Sequence, residues 1–375
     1  LIGGGDPTFG SNQFPNSKPD SIFSFFLKSL KQKGISSIQG KLIADVSLYE
    51  DKVINDTWEW GDIGNYYGAG ISALSFCENA FSITLKPGST VGQQTTAGQP
   101  KPFLPNTIIS NRITTSPKDS SVNALIYSSP MTNEYWLSGT IPLGRDSVVA
   151  KGAIQNPALI CLDNFNIYLN NNGVTTSNTL EVKKHVQPLS LSDTIALLKS
   201  PVYKDIAENT NRFSNNMFAE TILKNIAANK SVAMQVTFDN GVKEVIALLN
   251  KKAVDTKGIR IIDGSGLSRQ NMLSADFMCR FLLMMHGAYP SFDKLMPSPG
   301  EKGTLSVFMA NHKNNRAKVR LKSGSMTGVL NYAGYVKTKS GKTLCVTVMT
   351  NNFTCKVSKI RPKLEKLVNL ITECE

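Results

Sequence analysis

"AKVRLKSGSMTGVLNYAGYVKTKSGKTLCVTVMTNN", residues 317–352, decides the fold class. Three runs within it, 317–325, 331–339 and 342–352, are rich in Val, Leu, Tyr and Thr and read as strands. The last two meet around Ser340-Gly341, a tight hairpin. The chain then closes on "VSKIRPKLEKLVNLITECE", where Val357, Ile360, Leu364, Leu367, Val368 and Ile371 share one helical face. A hairpin-built antiparallel sheet followed by an amphipathic helix predicts an α+β fold.

Upstream of this sheet the period is helical. "SLSDTIALLKS" (190–200) opens on a Ser/Asp start signal, and "NNMFAETILKNIAANK" (215–230), "GVKEVIALLNKK" (241–252) and "SADFMCRFLLMMHG" (274–287) space their apolar residues as helices do. Residues 1–185 have another texture. Short strand-like runs, "GKLIADVSLY", "FSITLK", "ALIYSS" and "EYWLSGTIPL", lie between Gly, Pro, Ser, Thr and Asn clusters, with one helix predicted near 18–34 and another near 151–172. The chain therefore divides into a β-rich region, 1–185, and a second region, 186–375.

Composition sets outer bounds. The 375 residues are 41% hydrophobic and 18% charged, as in ordinary globular domains. The longest apolar stretch, "ADFMCRFLLMMHGAYP", is interrupted by Asp276 and Arg280, so it reads as a buried helix and no transmembrane span is predicted. The net charge of +13 is spread along the chain without a basic run or interleaved aromatics, which argues against nucleic acid and for attraction to anionic surfaces such as cell wall. The six cysteines form no CxxC pair, and most are expected to be buried thiols. His185, His286 and His312 form no HxxxH or HExxH pattern, which argues against zinc hydrolysis. There is no GxSxG elbow, and "SGKT" at 340–343 lacks the phosphate-loop glycine, Val336 standing in its place.

Three clusters remain. Ser214-Asn215-Asn216 precedes a helix and would serve as its cap. "IDGSGLSRQN" (262–271) would serve as a turn, and Lys322-Ser323-Gly324 lies on the first strand of the opening stretch. In this order they match SxN and KTG, two members of the signature set of penicillin-recognising serine enzymes. With "GGGDPT" near the start, "DGSGLSRQN" and "KSGSMTGVLNYAGYV", the chain resembles the class C low-molecular-mass penicillin-binding proteins, the D-alanyl-D-alanine carboxypeptidases and endopeptidases of the penicillin-binding protein 4 type. The resemblance runs from Gly3 to about Thr350.

What the resemblance implies is specific. The fold would be a penicillin-binding, serine β-lactamase-like transpeptidase domain, its antiparallel sheet flanked by helices, within 186–375; residues 1–185 would be mostly an inserted accessory region. The activity would be serine DD-carboxypeptidase and DD-endopeptidase hydrolysis of peptidoglycan stem peptides through an acyl-enzyme, blocked by β-lactams, in the periplasm or at the outer cell surface. The resemblance implies neither a metal nor a cofactor. Ser214 would relay a proton to the departing D-alanine nitrogen, Asn216 would donate to a stem-peptide carbonyl, and Lys322 would supply positive charge. Ser323 would bind the terminal carboxylate, Gly324 would leave room for substrate, and the Ser325 backbone N–H would serve the oxyanion hole. Arg269 would lie near the site, and Asp62 and Tyr67, with Trp60 beside them, would meet the far end of the stem peptide; a solvated loop carboxylate is the other reading of Asp62. The family's nucleophile belongs to an SxxK motif that relatives carry upstream of "GGGDPT". It is therefore expected before Leu1, with no SxxK in residues 1–375, which alone would not acylate. A non-catalytic peptidoglycan-binding relative is the alternative, and the sequence leaves open whether the chain forms a homo-oligomer.

Overall fold

The computed structural model describes residues 1–184, 194–228 and 235–375. His185, the 185/186 division and the first residues of the 190–200 helix prediction lie outside that set. Contacts divide the chain into two compact units, Leu1–Pro201 with Asn216–Gly241 and Asp263–Arg269, and Val202–Asn215 with Val242–Ile262 and Gln270–Glu375.

The first unit opens with α1 (Pro19–Gln32), whose Pro19 sits at the first helical position, where no backbone N–H is needed. Its strands in chain order are β1 (Ser37–Ile38), β2 (Leu42–Asp45), β3 (Ala80–Lys86), β4 (Thr96–Ala97), β5 (Ile108–Asn111), β6 (Thr114–Ser116), β7 (Asn123–Tyr127), β8 (Glu134–Pro142) and β9 (Val148–Ala153). Helix α2 (Pro157–Asn171) follows, capped by the Asn156 side chain on the Leu159 N–H, and then β10 (Thr175–Thr176) and β11 (Leu180–Lys183). β3 pairs antiparallel with β4 and β9, while β8 is flanked by β5, β6 and β7. Ile22, Phe23, Leu27 and Leu30 of α1 pack with Ile160, Cys161, Phe165 and Leu169 of α2 and Phe81, Ile83 and Leu85 of β3 in one core. Each such side chain removed from water contributes about 1.5–3 kcal/mol before ordering costs.

In the second unit α3 (Tyr203–Phe213) ends at Ser214, and α4 (Asn216–Ala228) of the first unit begins two residues later. α5 (Phe238–Lys251), which belongs to this unit from Val242 on, and α6 (Ala275–Ala288) precede the sheet of β12 (Val319–Met326), β13 (Val329–Lys337) and β14 (Thr343–Asn351), and α7 (Val357–Glu373) closes the chain. The three strands are antiparallel in the order β12-β13-β14. Alternation along β13 sends Leu330, Tyr332 and Val336 to a core with Val368 of α7, while Ala333 and Tyr335 meet Leu282 of α6. The sheet thus has a helix on each face, and the α+β expectation holds.

Gly334 of β13 pairs with Leu321, and a Cβ there would stand 2.2 Å from the Arg320 carbonyl oxygen and 3.0 Å from the Met296 sulfur. Gly334→Ala is expected to destabilise the protein by about 2–4 kcal/mol through the shift it forces on β12; urea unfolding measures it.

Several expectations are corrected. Residues 151–153, at the start of the helix predicted near 151–172, belong to β9 against β3, because the start signal Asn156-Pro157 lies further on. Residues 194–202 contain no helix; Pro201 biases Ser200 towards extended backbone, and the helix starts at Tyr203. α3 itself went unpredicted because, of its eleven residues, only Ile206 and Thr210 are buried. α6 is half-buried, with Phe277 and Leu282 inside and Leu283 64% exposed, because one face alone packs. Of the cysteines only Cys161 is buried, Cys355 and Cys374 are exposed at element ends, and all six are free thiols.

Candidate active site

Lys322 lies on β12, and its ammonium donates a 2.9 Å hydrogen bond to the Ser214 hydroxyl and another to the Ser323 carbonyl. The two motif residues, 108 positions apart, therefore meet within the second unit. Ser214 is the C-cap of α3 and holds φ 53°, ψ 51°, the left-handed region that costs a non-glycine residue roughly 1 kcal/mol or more. The capping reading of Ser214 was thus aimed at the wrong helix, since it terminates α3. Burial pushes the Lys322 ammonium down to about 8, so near neutrality it can give up a proton as well as hold one.

β12 is the edge of its sheet among the described residues. The Leu321 N–H turns away from β13 to donate to the Pro297 carbonyl at 3.1 Å. Antiparallel strands repeat this direction every second residue, so the N–H groups of Ser323 and Ser325 also face away from β13. Side chains alternate likewise: Lys322 and Gly324 project to one face, Ser323 and Ser325 to the other. A Cβ added at Gly324 would meet nothing within 4 Å, so the strand surface there is open.

The first unit holds a separate group of candidate residues. Asn216, the first residue of α4, donates its side-chain amide to the Tyr67 carbonyl at 2.8 Å, which leaves the second amide N–H for another acceptor. Tyr67 hydrogen-bonds the Asp62 carboxylate, and burial, followed by the Asp62 charge, pushes its hydroxyl up to about 12. Asp62 is raised by burial too, with the Tyr67 bond and the Arg269 charge opposing. Arg269 forms an ion pair with Glu59. Asn216, Tyr67 and Asp62 therefore form one connected group with the Arg269 charge close by, and Asp62 is no freely solvated carboxylate. Trp60 joins Tyr127 and Trp136 in a ring cluster with centroids 5.2 and 5.9 Å from its own.

Two ionisable groups escaped the sequence reading. Glu220 of α4 is fully buried and accepts from the Gly264 and Ser265 N–H groups at 2.9 and 2.8 Å. Asp263 accepts from the Gly266 and Ser268 N–H groups and from the Trp58 indole. The available signal was a charged residue at buried helical spacing, Glu220 and then Lys224 four positions on.

One expectation about the nucleophile is wrong as a matter of sequence. Ser291 does have a lysine three places later, Lys294. Ser291 is the N-cap of a single 3-10 turn, Phe292–Leu295, and Lys294 lies within it; both are exposed, and no hydrogen bond between their side chains occurs among the described residues. Nothing there activates a hydroxyl, so Ser291 is not assigned the attack.

The D-Ala-D-Ala carboxypeptidase 3 (S13) family matches residues 1–372, nearly the whole chain. The chain belongs to that family. Among S13-like relatives, a D-alanyl-D-alanine carboxypeptidase of Actinomadura sp. (strain R39) is 28% identical over 366 residues, covering 94% of this chain and 65% of the relative. The D-alanyl-D-alanine carboxypeptidase DacB of Haemophilus influenzae is 23% identical over 337 residues, 87% of this chain and 68% of the relative. This S13 chain thus spans about two thirds of the length of the curated relatives it matches. Its fold matches the crystal structure of penicillin binding protein 4 from Haemophilus influenzae, with a TM-score of 0.82 at 20% identity over 100% of this chain and 82% of that one. Among the described residues, no helix is long and apolar enough to cross a membrane.

Proposed function

We propose that this S13 chain serves a serine DD-carboxypeptidase, acting also as a DD-endopeptidase, that hydrolyses peptidoglycan stem peptides through an acyl-enzyme and is acylated by β-lactams. The 2.9 Å contact between Lys322 and Ser214 carries the reading. A hydroxyl held on a lysine of lowered pKa is a proton path: Ser214 gives its proton to the departing D-alanine nitrogen and takes one from the Lys322 ammonium.

The other roles are assigned by what each group offers. The free edge of β12 suits an extended peptide that adds a strand beside it. On that edge the outward Ser325 N–H is placed to serve an oxyanion, and the Ser323 hydroxyl with the Lys322 charge suits the terminal carboxylate. Gly324 leaves the strand surface clear. Asn216 gives its second amide N–H to a stem-peptide carbonyl, and Asp62, Tyr67 and Arg269 meet the distal end of the peptide. The attacking serine is assigned to none of residues 1–375. Residues 1–185 are proposed to be mostly the accessory region and 186–375 the transpeptidase core. The substrate places the protein in the periplasm or at the outer cell surface.

Fluorescent penicillin should covalently label the protein made from its whole gene, and mass spectrometry of the labelled peptide locates the nucleophile. A protein that stays unlabelled while binding muropeptides is a non-catalytic peptidoglycan-binding relative, and the enzymatic reading then fails.

A further inference from the structure

Glu220 is a carboxylate fully removed from solvent in the first unit. It stands one helical turn after Asn216 on α4, so the two share a face. Its oxygens take the backbone N–H groups of two successive loop residues, Gly264 and Ser265, and the Ser265 hydroxyl adds a third bond. The loop cannot retreat: a Cβ on Gly264 would lie 2.7 Å from the Ala219 carbonyl oxygen, so its backbone rests directly on α4. Asp263 braces the other side of the turn through Gly266, Ser268 and Trp58, and the segment ends at Arg269.

We propose that Glu220 is a positioning residue, which ties the Asp263–Arg269 loop to the helix carrying Asn216 and so fixes where Arg269 meets substrate. The substrate half of this statement rests on the reading of Arg269 and Asn216 given above; the clamp itself does not. The groups facing Glu220 are Asp263 from the loop and Lys224 from α4, the latter paired with Glu50. Burial, then the Asp263 charge, pushes the Glu220 carboxyl up to about 7 against the opposing hydrogen bonds. Release of the loop would solvate Glu220 and return it to its ordinary 4.5. The clamped state therefore holds its proton more tightly, and loop opening becomes easier as pH rises through about 7.

Amide hydrogen exchange reads this directly. In the unaltered chain, protection of the Gly264 and Ser265 amides, corrected for intrinsic rates, should fall between pH 5.5 and 8.5. In Glu220→Gln one of the two amides loses its acceptor, because the Gln NH2 group only donates, whereas either carboxyl oxygen, ionised or protonated, can accept. That amide should exchange about tenfold faster at pH 5.5, and the pH step should vanish. Binding of a D-Ala-D-Ala stem peptide, measured by calorimetry, should weaken about tenfold in Glu220→Gln. In the double variant with Arg269→Ala it should weaken no further than in Arg269→Ala alone. Unchanged protection with no pH step in either protein overturns the clamp, and purely additive binding losses overturn the positioning of Arg269. If the unaltered chain binds no stem peptide, the proposed function fails, while the clamp is still decided by exchange.

Discussion

On the function proposed above, replacing Lys322 with methionine is expected to lower the rate of penicillin acylation and of D-alanine release by about 10²- to 10⁴-fold, the range spanned by a positioned acid-base group. The Ser214 hydroxyl then loses its only charged hydrogen-bond donor among the described residues. The same substitution should stabilise the fold at neutral pH. Burial holds the Lys322 ammonium at about 8, against 10.5 for an unperturbed lysine, so the native state binds fewer protons than the unfolded chain between those values. The stability this lysine confers is therefore complete above pH 10.5 and is lost as pH falls through about 8. Methionine has no proton to place, so Lys322→Met should gain about 1–2 kcal/mol at pH 7, a value reduced from the full shift because solvent screens the open strand edge. The gain should vanish above pH 10.5. Urea unfolding at pH 7 and 10.5 tests the stability half and a gel-based labelling time course the catalytic half. A variant that labels at the unaltered rate would remove Lys322 from the mechanism.

The largest stability loss is expected at Lys224. This residue of α4 has a side chain that is 0% exposed, its ammonium 3.2 Å from a Glu50 oxygen and 3.9 Å from the Phe238 ring centroid. Glu50 also accepts the Phe238 N–H at 2.8 Å. Lys224→Ala leaves Glu50 with a charge that the Phe238 N–H alone cannot balance, opens a cavity beside two aromatic rings, and should cost about 3–5 kcal/mol. Removing both charges as Glu50→Gln with Lys224→Met should restore most of that loss, since a buried ion pair and its well-packed neutral replacement are close in free energy. Denaturant titration of the two variants separates these outcomes; equal losses in both would mean that the ion pair itself, rather than the stranded charge or the cavity, carries the stability.

The parts legible in the sequence are those governed by local pattern. Residues 317–352 announced their strands, and the alternation that places Leu330, Tyr332 and Val336 on one face of β13 is a property of the backbone period. Of the α7 stripe, Val357, Ile360, Leu364, Val368 and Ile371 join the core as helical spacing dictates while Leu367 is 43% exposed, and the start of α1 at Pro19 follows from proline geometry. α3 stayed hidden because too few of its residues are apolar, and the prediction over 194–200 misled because Pro201 acts on backbone dihedrals that an apolar count does not sense.

By itself the sequence determined the α+β class, the family, and the Ser214, Asn216 and Lys322 triplets, because each is encoded by neighbours within a few residues. Only the tertiary structure decided what those side chains touch. It brings Lys322 within 2.9 Å of Ser214 across 108 positions, turns alternate N–H groups of β12 outward, and shows Ser291-xx-Lys294 to be an exposed turn. It also shows what Glu220, a charge at buried helical spacing, is buried for: it is the acceptor of a distant loop. The physical reason is common to all four. Desolvation and hydrogen-bond geometry are set by groups far apart in the chain, and neither leaves a local imprint in the order of residues.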